Sequence, residues 1–245
     1  MPNSCGATLA PRQVESSNGQ MNVSSKIFSL SFHKSGTTSL HNYLRLQGIN
    51  SLHYPKKIGG VNYAHKIAPV VDDPQSVLSR LMPVIEAYDA HCDAPWGGLA
   101  PELLAAFPAA NFVLITRDPQ QWWESLAKHW RLDLCGRYLS AFEYVQYRRY
   151  MEVDRSRVYT RADRASFISA IERHSAEVVR IVPADRLLVC DLSDTNKAQR
   201  LAKFLGLRED VEFPHLPPTS ARKPLKRLYR TFRRRLFGSD LSGAR

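Results

Sequence analysis

Lys34, Gly36, Thr37, Thr38 and Ser39 follow an apolar run, Ile27-Phe28-Ser29-Leu30-Ser31-Phe32, and stand where an amphipathic helical pattern begins. Those residue types at that spacing make a phosphate cradle. The first N–H groups of a helix have no intrahelical partner, and the aligned peptide dipoles place about half a positive charge there. Gly36 allows a backbone path that a side chain would obstruct. Lys34 adds a mobile positive charge, and the hydroxyls of Ser35, Thr37, Thr38 and Ser39 can donate to phosphate oxygens. His33 lies inside the same loop. The spacing differs from G-x-x-x-x-G-K-[ST], because the lysine precedes the glycine by two positions, which disfavours Mg-triphosphate chemistry. The same residues also fit an ordinary strand-to-helix turn, with Gly36 as turn former and Lys34 as a solvated charge.

A second segment makes the phosphate reading the stronger one. Residues 112–126 again run from an apolar stretch, Phe112-Val113-Leu114-Ile115, through Thr116-Arg117-Asp118-Pro119 into a helix. Pro119 is suited to its first turn. Arg117 falls at the strand end and Ser125 on the helix.

With these two segments the chain resembles the sulfotransferases that use 3′-phosphoadenosine 5′-phosphosulfate (PAPS), which carry a Lys-x-Gly-Thr-Thr loop and a later Arg-Asp-Pro…Ser segment in the same order. Weaker landmarks, such as Pro183-Ala184-Asp185-Arg186 and Phe204-Leu205-Gly206, extend the likeness from about residue 26 to about 219. The resemblance implies that Lys34 to Ser39, with His33 beside them, hold the 5′-phosphosulfate, and that Arg117 and Ser125 hold the 3′-phosphate. It also implies that Arg222 and Lys223 reach back to the 3′-phosphate. Many members end a strand with a catalytic histidine or acid before a proline, a slot that Asp93 occupies here, ahead of Ala94-Pro95. A carboxylate has an ordinary pKa near 4, so as a base at neutral pH it should be desolvated or linked to a neighbour. His91 is the rival base: on a strand it would share a face with Asp93, so that both could border one cleft. His33 is a further acceptor-side possibility, with a structural role preferred.

Several relatives place a tryptophan directly after the Thr-Thr pair, against the adenine; this chain has Ser39, which leaves adenine stacking unassigned. Trp122 and Trp123 are expected to turn at least one ring to the core. Trp96 is a candidate for the acceptor pocket, as are Tyr54, Tyr63, His65 and Lys66, although such residues are as often simple surface. The acceptor itself has no recognisable code.

The chemistry so implied is an in-line sulfuryl transfer from PAPS to a hydroxyl, or second in order an amine, of a small-molecule, glycan or lipid acceptor, leaving PAP. It requires no metal. Catalysis should come from orientation and electrostatics, with Lys34 stabilising charge on the oxygen between sulfur and phosphorus. His91 and Cys92 lack the partners of a zinc motif.

Positioning these residues takes an α/β fold, three layers with a central parallel sheet. Strands are expected near 26–32, 50–53, 88–92, 112–116 and 186–190, with helices near 37–47, 75–86, 99–107, 119–130, 139–153, 163–182 and 194–205. Ligands of such sheets bind at the carboxyl ends of the strands, where Lys34, Asp93 and Arg117 should converge. A chain of 245 residues with 44% hydrophobic content can bury a full core in one domain.

That domain is expected over 25–219. Residues 1–24, rich in Ser, Asn and Gly, read as a disordered leader without signal-peptide character. Four scattered cysteines and no apolar run of membrane-spanning length point to a cytoplasmic protein. Much of the net charge of +11 lies in 220–245, where basic residues alternate with Leu, Tyr and Phe over 222–237. That pattern suits an amphipathic helix docked on the domain or attached peripherally to an anionic membrane. Nucleic acid is not expected as a partner, since the charge sits in one terminal segment. A non-catalytic nucleotide- or nucleic-acid-binding module and a small-molecule kinase are the alternatives.

Overall fold

The computed structural model describes residues 25–214. The expected leader, the basic segment and its Arg222 and Lys223 lie outside the described residues.

The strands β1 (Ile27–Ser29), β2 (Ser51–His53), β5 (Ala90–Cys92), β6 (Asn111–Thr116) and β7 (Leu187–Asp191) form a sheet in the order β2-β5-β1-β6-β7. Every neighbouring pair is parallel. Period-2 alternation divides the strand residues between two faces. Ile27, Ala90, Cys92, Val113 and Ile115 pack with Leu40, Tyr43 and Leu44 of α1 (Thr37–Leu46) and Leu201 of α8 (Lys197–Leu205). Phe28, Phe112 and Leu114 face the other way, toward α3 (Pro74–Ala87), α4 (Ala100–Ala106), α6 (Ala141–Tyr147) and α7 (Arg164–Ile181). A sheet covered on both sides explains the unbroken apolar run Phe112-Val113-Leu114-Ile115 in β6.

A separate aromatic cluster joins α5 (Pro119–Trp130) to α7. Trp122, Trp123, Trp130, Tyr147, Tyr159 and Phe167 bury their rings there beside Phe32. Both Trp122 and Trp123 are therefore core.

The helix starts follow local chemistry. Asp118 accepts from the N–H of Gln121 at 2.8 Å and Pro119 takes the first turn, so Arg-Asp-Pro divides into a guanidinium arm, a cap and a helix-start residue. Ser140 and Glu143 form a reciprocal capping box at the start of α6.

Three expectations need correction. The helix expected over 139–153 is only Ala141–Tyr147, because the capping box fixes its start and the chain turns away after Arg148. The first strand is regular only over Ile27–Ser29; beyond it Ile115 donates to the hydroxyl of Ser31 instead of to backbone. Residues 57–67 hold a hairpin, β3 (Lys57–Ile58) and β4 (Val61–Asn62), and a short helix, α2 (Tyr63–Ile67), none of them expected.

Candidate active site

The loop between β1 and α1 is shaped for an anion. Gly36 caps α1 at φ 89°, a conformation that glycine adopts without penalty, and a Cβ there would meet the Leu192 side chain at 2.6 Å. The first turn of α1 carries neither a side-chain cap nor an acidic residue. Its dipole end is therefore not neutralised from within. Ser35 Oγ is buried without a hydrogen-bonding partner among the described residues, in the loop where an anion would accept from it. These features fit the phosphate portion of PAPS.

The two motifs meet. Arg117 extends from the end of β6 and donates through Nη1 to the carbonyl oxygen of Lys34 at 3.1 Å. Trp122, on the helix that follows, donates through Nε1 to the carbonyl of His33 at 2.9 Å. Ser125 lies two turns into the same helix, partly exposed.

Lys34, Tyr54 and Asp93 follow β1, β2 and β5, and all three have left-handed backbone at φ 73°, 55° and 76°. Each costs on the order of 1–2 kcal/mol for a residue with a Cβ. Such strain persists where the surroundings over-determine it, commonly at functional sites.

Asp93 stands at the centre of the polar groups. Its side chain is 13% exposed, and Oδ2 lies 3.3 Å from Nε2 of His53. Oδ1 accepts from the N–H of Ala94 at 2.9 Å. Burial raises its pKa above the usual carboxylate range, opposed by His33, Lys34 and the Ala94 N–H and reinforced by Glu143. The carboxylate thus gains basicity without losing access.

His33 is the second polar node. Gln146 Nε2 donates to His33 Nδ1 at 3.0 Å, which leaves the ring proton on Nε2, 3.1 Å from the Tyr147 hydroxyl. Burial lowers its pKa to about 3, so the ring is neutral at pH 7. Facing it, Glu143 pairs with Arg137 at 2.6 Å, and the Arg137 guanidinium lies over the Trp130 ring at 4.5 Å.

His91 is not in this group. It is fully buried in the sheet, stacked on Phe28 at 5.1 Å, with its Nε2 donating to the Tyr88 carbonyl at 3.1 Å. The same-face expectation fails because β5 ends at Cys92 and Asp93 turns out of the strand. Trp96 is likewise fully buried, against Phe28 and His91, rather than in an acceptor pocket. Tyr63 packs in the core with Lys66 over its ring, whereas Tyr54 reaches Ser140 Oγ at 3.4 Å near the polar groups.

Sequence reasoning missed Gln146, Tyr147 and His53. For His53 a signal existed: it ends β2, and its register partner is Cys92, the residue before Asp93. No group of three or more metal-ligating side chains occurs among the described residues, and no described helix is long and apolar enough to cross a membrane.

A parallel α/β sheet with a glycine-capped loop, a guanidinium and a partly buried carboxylate at its carboxyl edge belongs to the class of open α/β folds that bind ligands at that edge. Within that class the chain belongs to the sulfotransferase domain family, whose model matches residues 26–221. It is similar to the Ava biosynthesis cluster protein M of Aspergillus versicolor, 32% identical over 142 residues that cover 53% of this chain and 54% of the relative. The chain thus spans about half the length of that relative. Among solved structures it resembles a sulfotransferase from Alicyclobacillus acidocaldarius, at 17% identity over 85% of this chain and 91% of the other, with a TM-score of 0.48. It also resembles the sulfotransferase domain of the curacin biosynthetic pathway, at 15% identity over 79% and 76%, with a TM-score of 0.44.

Proposed function

We propose that the chain is a PAPS-dependent sulfotransferase acting on a hydroxyl. The observation that carries this reading is the bond from Arg117 to the Lys34 carbonyl, which joins the two motifs at the carboxyl edge of the sheet that also carries Asp93. The orphaned hydroxyl of Ser35 and the uncapped start of α1 support it. When bound, PAPS supplies a sulfuryl group whose bond to the bridging phosphate oxygen breaks as the acceptor oxygen bonds to sulfur.

The residues divide the work. Backbone N–H groups of α1, with Ser35, Thr37, Thr38 and Ser39, hold the 5′ end of the donor, and Arg117 with Ser125 holds its 3′-phosphate. Lys34 neutralises charge on the departing oxygen, a contribution of the kind worth several kcal/mol in a water-excluded site. Asp93 takes the proton of the acceptor hydroxyl, and its raised pKa brings it nearer the operating pH. His33, neutral and with both ring nitrogens engaged by Gln146 and Tyr147, has a structural place on the acceptor side.

Titration calorimetry with PAP and ATP tests the donor half. Micromolar PAP binding that weakens in Lys34→Ala and Arg117→Ala, with ATP much poorer, supports the reading. Absence of PAP binding at low salt refutes it.

A further inference from the structure

Neither motif calls for a residue on β2, yet His53, the last residue of that strand, lies between the anion loop and Asp93. Its Nε2 is 3.3 Å from Thr37 Oγ1, 3.2 Å from Thr38 Oγ1 and 3.3 Å from Asp93 Oδ2. One nitrogen thus bonds the two threonine hydroxyls and lies at ion-pair distance from the carboxylate.

The ring's charge state decides what that nitrogen can do. Burial first, and then the Lys34 charge, lower the His53 pKa to about 4, so the ring is neutral at pH 7 and carries one proton. Each nitrogen of a neutral imidazole is either a donor or an acceptor. A bare Nε2 would set its lone pair against the ionised carboxylate of Asp93. A protonated Nε2 removes that clash: its single N–H lies within reach of the carboxylate and of the threonine oxygens, and threonine hydroxyls that accept from it turn their own protons elsewhere. The start of α1 is where an anion would accept them.

We propose that His53 is a positioning residue, whose Nε2–H favours the ionised form of Asp93 and leaves the Thr37 and Thr38 hydroxyl protons for the phosphosulfate. The inference rests on the sulfotransferase reading for the identity of the anion and the task of Asp93. Other groups also face that carboxylate: His33 and Lys34 from the phosphate loop, Tyr54 after β2, Glu143 and Tyr147 from α6, and Arg137 through its pair with Glu143. Glu143 disfavours the ionised form, whereas His33 and then Lys34 favour it. His53 adds to that balance a ring nitrogen 3.3 Å from Oδ2.

Two measurements test this. In nitrogen-15 NMR of the full chain labelled at histidine, without donor, His53 should show the Nε2–H tautomer near neutral pH, and Asp93→Asn should move its Nε2 resonance. An Nδ1–H tautomer, or indifference to Asp93→Asn, overturns the proposal whether or not PAP binds. In kinetics, His53→Leu should weaken PAP binding about tenfold, the effect of one lost hydrogen bond to a charged group. The acid limb of kcat/KM should also move up by about one pH unit. His53→Gln, which keeps an N–H donor, should recover most of both. Equal loss of kcat in the two variants, with PAP affinity and the acid limb unmoved, reduces His53 to packing and overturns the proposal. Failure of the unaltered chain to bind PAP overturns the donor reading alone, and the tautomer result then stands by itself.

Discussion

Arg117 donates to the backbone carbonyl of Lys34 at 3.1 Å, so the second motif holds the backbone of the first in place. The bond needs a long side chain with several donors at fixed angles, and lysine offers only a point charge. Arg117→Lys should therefore keep the charge and still weaken PAP binding, by about tenfold for one charge-assisted hydrogen bond. Hydrogen exchange at residues 34–37 should quicken in parallel. If calorimetry finds Arg117→Lys equal to the unaltered chain, Arg117 acts through charge alone.

Lys34 combines a functional charge with left-handed backbone at φ 73°. Either Lys34→Ala or Lys34→Gly removes the charge, and turnover should fall by about 10²- to 10³-fold, the range for losing one preorganised electrostatic group. The two should differ in stability. Glycine relieves a conformational cost of about 1–2 kcal/mol that alanine retains, so Lys34→Gly should melt at the higher temperature with the same lost activity. Thermal unfolding beside single-turnover assays separates the two effects.

Asp93 should cost the protein stability at neutral pH. Its folded pKa lies above the unfolded value, chiefly through burial. Between those two values the folded state binds more protons than the unfolded state, so stability falls as pH rises through the window and stays low above it. Asp93→Asn should consequently raise the melting temperature at pH 7 and lose that advantage at acid pH. Its kcat/KM should also lose the acid limb. A variant less stable than the parent at pH 7 would mean that the bond from Ala94 and the contact with His53 outweigh the burial cost.

Much of this site could be read from residue order. The apolar run into Lys34-x-Gly36-Thr37-Thr38 and the Arg117-Asp118-Pro119 step have local causes: a strand period, a glycine at positive φ, a cap and a helix-start proline. Sequence spacing also placed Lys34, Asp93 and Arg117 at strand ends in one parallel sheet. What stayed hidden depends on through-space geometry. The turn of Asp93 out of β5 is a left-handed step, uncommon outside glycine, so alternation wrongly paired it with His91. Gln146 and Tyr147 reach His33 from more than 110 positions away, through a helix whose length was overestimated. The position of α6 depends on Gly98, where a Cβ would lie 2.2 Å from the Val145 carbonyl oxygen.

The buried histidines should make the fold acid-labile, and His91 offers the sharpest test. Burial lowers the pKa of His33 and His91 to about 3 and that of His174 to about 4. The unfolded chain takes up these protons near pH 6.5, where the folded chain does not. The unfolded state therefore binds more protons between about pH 6.5 and 3, so stability is intact above that window and falls as pH drops through it. Each such histidine contributes about 1.4 kcal/mol per pH unit within the window. His91 stacks on Phe28 and lies 5.0 Å from the Trp96 ring, a setting that a phenyl ring can fill. Replacement removes one of these proton uptakes, although the Tyr88 carbonyl loses its donor. His91→Phe should flatten the fall of the urea midpoint between pH 6.5 and 4.5 while leaving the acid limb of kcat/KM unmoved. Disappearance of that limb in His91→Phe would make His91, and not Asp93, the group that takes the acceptor proton.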